Sequence, residues 1–313
     1  MIDLVGKRPW FFLISAIVII PGIISLAVFG LKPGVDFSSG TAMTLSFDKE
    51  VNLSQLRQEL TELGYDMAVV QPAGESDFFV RLPEISAEET TKLREGLETG
   101  LDTKITISSL YSVSPVVAKG TVRNTIIAIV VASVGILLYI SWAFRKMPKP
   151  IRWGTCAVIA LAHDLLVVIA VFSILGWVAG VEVDALFVTG VLAVVGVSVN
   201  NIVVVFDRIR ENLKRGVSRD FEVIVNYGIV ESMGRSLNTG LATLFVIVAL
   251  YLLGGTTTYN LVLALMIGIA TGIYSSLCIA GQLLVVWDTG KWGRLFSPRK
   301  QAKTSTQYSE ALE

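Results

Sequence analysis

Residues 185–212, ALFVTGVLAVVGVSVNNIVVVFDRIREN, hold twenty-two consecutive uncharged positions, Ala185 to Phe206, and then a charged run that opens at Asp207. At 1.5 Å per residue the uncharged stretch spans about 33 Å, enough to cross a bilayer core of ~30 Å. Two adjacent amides, Asn200 and Asn201, therefore lie inside the membrane, and the charges begin where headgroups begin. Amides buried in lipid need partners, which points to a site built inside a helix bundle.

Five further apolar runs are long enough to span: Trp10–Leu31, Asn124–Phe144, Trp153–Gly180, Ser236–Leu253 and Leu261–Trp287. The bulk values agree, with 53% apolar and 17% charged residues and a mean hydropathy of +0.66. The net charge of zero says little, because the placement of Lys and Arg sets orientation. Lys7 and Arg8 precede the first span. Arg145, Lys146, Lys149 and Arg152 join spans two and three, and Arg208, Arg210, Lys214, Arg215 and Arg219 follow span four. Lys291, Arg294, Arg299, Lys300 and Lys303 follow span six. The connectors 181–184 and 254–260 hold no Lys or Arg. Both termini are thus expected in the cytoplasm. Span one has the charged start of a signal peptide, but its length favours a retained anchor. Cys156 and Cys278 fall within spans and read as small buried side chains, with no disulfide expected.

Residues 1–31 are read as the cytoplasmic N-terminus and first span, and 32–123 as a polar extracytoplasmic domain. Within that domain Ala42–Asp48, Asp66–Gln71, Asp77–Leu82 and Lys104–Leu110 read as strands, and Asn52–Leu63 and Ser86–Glu98 as helices. The second helix opens with the capping box Ser86-x-x-Glu89. The order β-α-β-β-α-β is that of a ferredoxin-like α+β domain. Residues 124–287 form the remaining five spans, with an amphipathic segment at 207–235 expected on the cytoplasmic surface, where Glu231 and Arg235 can pair at i,i+4. The tail 288–313 is cytoplasmic, and from Ser297 on its polarity predicts disorder.

Asp164 is the one acid deep within a span, and His163 beside it is the sole histidine. An intramembrane ionisable group costs about 2.5–3.5 kcal/mol on insertion scales, which makes it a functional suspect by default. Two readings stand for Asp164: ion coupling, or a packing hydrogen bond to a neighbouring helix. For His163 they are proton exchange, which the imidazole class performs near neutrality, or structure. Arg235, Thr239 and Thr243, spaced i, i+4, i+8, give span five a polar stripe expected to face protein, although Arg235 can instead snorkel and pair with Glu231. Gly268-x-x-x-Gly272 with Ser275 and Ser276 gives span six a smooth face for close helix packing. The run Asp207–Glu211 mixes acids with bases at a membrane exit, so it reads as an interfacial anchor in lipid and implies no nucleic acid. No phosphate loop, metal-ligand cluster or nucleophile-base pair is present, so no enzyme and no cofactor is expected.

These residues resemble the SecF branch of the SecD/SecF family, in the resistance-nodulation-division superfamily. Gly34-Val35-Asp36-Phe37 with Gly40-Thr41 is similar to the family's Gly-Ile-Asp-Phe-x-Gly-Gly-Thr, and Ala160-Leu161-Ala162-His163-Asp164 to its Ala-Leu-x-His-Asp. Gly196 to Asn212 resembles Gly-Tyr-Ser-x-Asn-Asp-Thr-x-Val-Val-Phe-Asp-Arg-Ile-Arg-Glu-Asn. Gly254-Gly255 and Gly272-Ile273-Tyr274-Ser275-Ser276 complete the series.

The resemblance implies a multi-pass subunit of the bacterial cytoplasmic membrane that works with SecD beside the SecYEG channel. It would use the proton motive force, or Na⁺ in its place, to help export a preprotein. It also implies that Arg235 tunes nearby membrane carboxylates. One departure bears on this: Asn201 stands where the family has aspartate, and an amide does not titrate usefully. Coupling would then rest on Asp164, His163 and a carboxylate of SecD, or the chain would be a structural subunit that moves no ion. A small-molecule exporter of the same superfamily is a weaker reading, because six spans form half of the usual bundle. Ser39 for the first glycine of the pair, Ser114 for a glycine, and Gly234-Arg235-Ser236 for Ser-Arg-Thr are smaller departures.

Overall fold

The structure, a computed structural model, describes residues 2–73, 76–254 and 258–289. The tail expected to be disordered from Ser297, the five cations from Lys291 to Lys303, and Gly255 lie outside the described residues. Among those described, six helical spans are long and apolar enough to cross a membrane. They are α1 (Arg8–Phe29), α5 (Pro115–Ala143), α6 (Pro150–Ala179), α7 (Ala185–Arg215), α8 (Phe221–Leu253), and α9 (Tyr259–Ser275), which continues through a π-helical turn, Ser276–Ala280, into α10 (Gly281–Thr289).

Between α1 and α5 lies the α+β domain: α2 (Val35–Ser38), β1 (Gly40–Phe47), α3 (Leu53–Glu62), β2 (Val69–Pro72), β3 (Asp77–Leu82), α4 (Ala87–Gly100) and β4 (Ile105–Val113). The sheet order β2-β3-β1-β4, antiparallel throughout, is the ferredoxin-like arrangement expected from the element order. Period-two alternation sets its register. Met43 pairs with Val80 and Leu110, and Leu45 with Phe78 and Ile107. Met43, Leu45, Phe78 and Val80 join Leu56 and Leu60 of α3 and Leu93 and Leu97 of α4 in one buried core, with Ile107 packed against it, whereas Leu110 is exposed. The opposite face is hydroxyl-rich, with Thr44 bonded to Ser109 and Ser46 to Ser108. Both helices start with capping boxes, Asn52 with Gln55 and Ser86 with Glu89.

Several helices outrun their hydropathy. Only the lipid-embedded part must be apolar, so α5 begins nine residues before Asn124, with Ser114 alone between it and the end of β4. The segment 207–235 does not form a separate surface helix. Residues 207–215 finish α7, which Gly216 ends in left-handed conformation. Residues 221–235 are the first half of α8, capped by Asp220. The charged pattern there reflects two helices projecting together past the bilayer. Span six is broken by the π-turn at Ser276, a feature that apolar composition alone does not reveal.

Candidate functional site

The bundle closes around small residues. A Cβ added to Gly268 of α9 would stand 2.2 Å from Val194 Cγ2 of α7, and one added to Gly272 would stand 3.4 Å from Ser198 Cβ. These glycines let α7 and α9 approach closely, the packing role expected for that face. Close approach brings hydroxyls of both helices onto α6. Asp164, the fifteenth of the thirty residues of α6, has no exposed surface. Its Oδ2 accepts from Ser198 Oγ at 2.5 Å and from Ser275 Oγ at 2.8 Å. Its Oδ1 lies 3.1 Å from Nδ1 of His163. Three helices thus converge on one carboxyl, with three partners for its roughly four acceptor sites.

His163 extends the network to α1. Its Nε2 lies 2.9 Å from Ser15 Oγ, which lies 3.3 Å from Tyr274 Oη, and Tyr274 donates to the carbonyl of Phe11 at 2.6 Å. This order accommodates either charge state of the ring. With neutral imidazole, Nδ1–H donates to Asp164 and Ser15 donates to Nε2. With imidazolium, both nitrogens donate and the Ser15 proton turns toward Tyr274. One hydroxyl rotation separates the two hydrogen-bond patterns, and the contacts between α1, α6 and α9 are the same in both.

Other expected site residues fall elsewhere. Asn200 is exposed, and Asn201 is buried with no side-chain hydrogen bond among the described residues. Arg235 and Thr239 are exposed, while Thr243 donates back to the Thr239 carbonyl at 3.0 Å. The stripe expected to face protein therefore faces outward from this chain. Arg235 does not pair with Glu231, which instead lies 3.6 Å from Arg208 Nε and accepts from Asn212 at 2.9 Å. Ser276 is buried and donates to the Ile273 carbonyl. Ser15, Ser198 and Tyr274 were not singled out from sequence, although isolated hydroxyls in apolar runs are the signal that marks them.

A second polar cluster ties the α+β domain to the α6–α7 connector. Gly34 N–H donates to Val183 O and Val183 N–H to Lys32 O, both at 2.7 Å. Arg81 of β3 lies 3.2 Å from Glu182, and Gln71 of β2 donates to Gly180 O at 2.9 Å. Asp36 accepts from the Ala185 N–H at the start of α7 at 2.8 Å. Burial raises the Glu182 carboxyl above its ordinary range; Arg81 and Lys32 oppose this, and Asp184 adds to it. Burial also raises Asp184, against hydrogen bonds from Phe187 N–H and Asn260 and with repulsion from Asp36. Burial and the three acids push Tyr111 up to about 12.

Six spans, a ferredoxin-like domain in the first connector and a hydroxyl-held carboxyl at mid-helix define a multi-pass membrane protein with a polar centre. Residues 94–290 match the family "Protein export membrane protein SecD/SecF, C-terminal", and residues 24–51 match the "SecD/SecF GG Motif". The chain is 44% identical to protein translocase subunit SecF of Thermobaculum terrenum, covering 95% of this chain and 97% of that one. It is 37% identical to SecF of Anaerolinea thermophila over the same shares. The crystal structure of SecDF, a translocon-associated membrane protein from Thermus thermophilus, matches 92% of this chain and 39% of its own, with a TM-score of 0.81 and 31% identity. The chain belongs to the SecD/SecF family of protein export membrane proteins.

Proposed function

We propose that the chain is the SecF-type subunit of a Sec protein translocase in the bacterial cytoplasmic membrane. In this reading it works with SecD beside the SecYEG channel and uses a proton gradient, or a Na⁺ gradient, to assist preprotein export. Both termini lie in the cytoplasm and the domain of residues 32–123 lies outside in this reading, which the Lys and Arg distribution of the connectors supports. The observation that carries ion coupling is the Asp164 centre, where a carboxyl is joined to a histidine at mid-membrane. One charge crossing 100 mV releases about 2.3 kcal/mol, enough to shift a two-state equilibrium nearly fifty-fold.

Arg235, Asn200 and Thr239 supply the second half of the reading. An amide exposed within the fourth span and a cation exposed at the cytoplasmic end of the fifth need polar partners there. The SecDF chain of Bacillus subtilis, 33% identical and matched over 38% of its length, carries the corresponding region in one polypeptide with further sequence. SecD is the partner we assign to this flank, and its carboxylate replaces the acid that Asn201 lacks. The test is secretion in cells carrying Asp164→Asn or Arg235→Ala, with capture of SecD measured in parallel. Lost secretion with SecD still captured at Asp164→Asn supports coupling; full secretion in both variants rejects it in favour of a structural subunit.

A further inference from the structure

The turn between α5 and α6, with the last two turns of α7, encloses a cavity of about 280 Å³ on the membrane face where α5 ends. Four cations line it: Arg145 and Lys146 from the turn, Arg210 and Lys214 from α7. No carboxylate does. Arg210 lies 2.6 Å from Asp207, but Arg145, Lys146 and Lys214 have no ion pair among the described residues. Four cations against one neighbouring acid leave a local charge of about +3 in a concave site, where charges of one sign reinforce each other.

The floor is aromatic and rigid. Phe144 is buried, stacks on Trp153 at 5.1 Å and meets Phe206 edge-on at 6.0 Å. The Arg210 guanidinium sits 5.6 Å over the Phe144 ring, and Arg145 sits 4.8 Å over Trp142. Two of the four cations are thereby held toward the cavity rather than swinging free. On one side the cavity opens at Trp142. The residues one, two and three turns back along the same face of α5, Leu138, Val134 and Val131, are all exposed. A charged pocket thus continues directly into an apolar, exposed stripe.

We infer that this cavity binds the phosphodiester headgroup of an anionic phospholipid, with an acyl chain lying along the α5 stripe from Trp142 to Val131. A soluble phosphate ester would satisfy the four cations but leave the stripe unused. The continuity of pocket and stripe is what selects a lipid. Bound there, the lipid would bridge the α5–α6 turn to the end of α7, and α7 carries Ser198 of the Asp164 centre.

The test uses the full chain purified in detergent and native mass spectrometry with phosphatidylglycerol or phosphatidylcholine. One phosphatidylglycerol should remain bound where phosphatidylcholine does not. Each basic side chain near an anionic surface is worth roughly fivefold, so Lys146→Gln with Lys214→Gln should weaken retention ~25-fold. The pair Lys146→Arg with Lys214→Arg should restore it, which separates charge from folding. Lys7→Gln with Arg219→Gln, which removes two exposed cations outside the cavity, should leave it within about twofold. Equal retention of the two lipids, or an equal loss in the Lys7/Arg219 pair, overturns the site. Displacement of the lipid by millimolar glycerol phosphate overturns the lipid assignment in favour of a soluble ester.

Discussion

Ser198 Oγ on α7 lies 2.5 Å from Oδ2 of Asp164 on α6, and this contact joins the two helices at the middle of both. Ser275 reaches the same oxygen from α9, so one carboxyl fixes the mutual position of three spans. Ser198→Ala removes a hydrogen bond to a buried acid and should cost about 1–3 kcal/mol of stability in detergent unfolding. Because the cost arises from the acid left short of a donor, most of it should vanish in an Asp164→Leu background. A double-mutant cycle measures this coupling.

Gly268 makes a steric prediction. Its added Cβ would overlap Val194 on the facing helix, whereas one added to Gly135 of α5 meets nothing within 4 Å. Gly268→Ala should destabilise the bundle by about 1–3 kcal/mol through overpacking. Gly135→Ala should be neutral or gain up to ~1 kcal/mol from helix propensity. Thermal unfolding of the purified chain compares the two.

Ser39 and Gly40 sit at the hinge between α2 and β1 with φ of 63° and 130°. Ser39, with ψ of 166°, occupies a region that is essentially glycine-only and costs of order 1–3 kcal/mol. Ser39→Gly should raise stability by about 1 kcal/mol or more. Gly40→Ala should lower it, since its Cβ would stand 2.5 Å from the Leu82 carbonyl oxygen. The melting temperatures of the two variants should move in opposite directions.

The joint between domain and membrane should respond to pH. Glu182 has a carboxyl raised by burial from a reference of 4.5, so the folded joint holds its proton more tightly than the open one. Its contribution is present below the reference value and is lost as pH climbs from there through the raised folded value. Asp184 acts in the same sense from 3.8, while Arg81 and Lys32 limit the effect at Glu182. Resistance of the connector 180–184 to hydrogen exchange, corrected for the intrinsic rate, should fall as pH rises from 4.5 toward neutrality. Glu182→Gln should flatten that slope.

Much of this was readable in the chain. Long uncharged runs mark spans because lipid supplies no water to backbone or charge. The strand and helix order of residues 40–113 follows from alternation and capping, which are local. The limits of α5, α7 and α8 were not readable, because helices continue past the bilayer in polar sequence. Asp164 was legible as an isolated acid, but Ser198, Ser275 and Ser15 are hydroxyls whose role depends on which helix faces which. The same is true of Asn226, which binds the backbone of Ile2, Leu4 and Val5 from more than two hundred residues away. The Glu231–Arg235 pair expected from spacing failed because Arg208 and Asn212 on the adjacent helix reach Glu231 instead.

The central claim is that Asp164 couples ion movement to export. Preprotein transport into sealed membrane vesicles, with and without an imposed proton gradient, measures it directly when the wild-type chain is compared with Asp164→Asn. The account predicts that the gradient-dependent increment disappears while gradient-free transport and capture of SecD stay unchanged. An increment that survives in full in Asp164→Asn, with no substituting Na⁺ dependence, would contradict it.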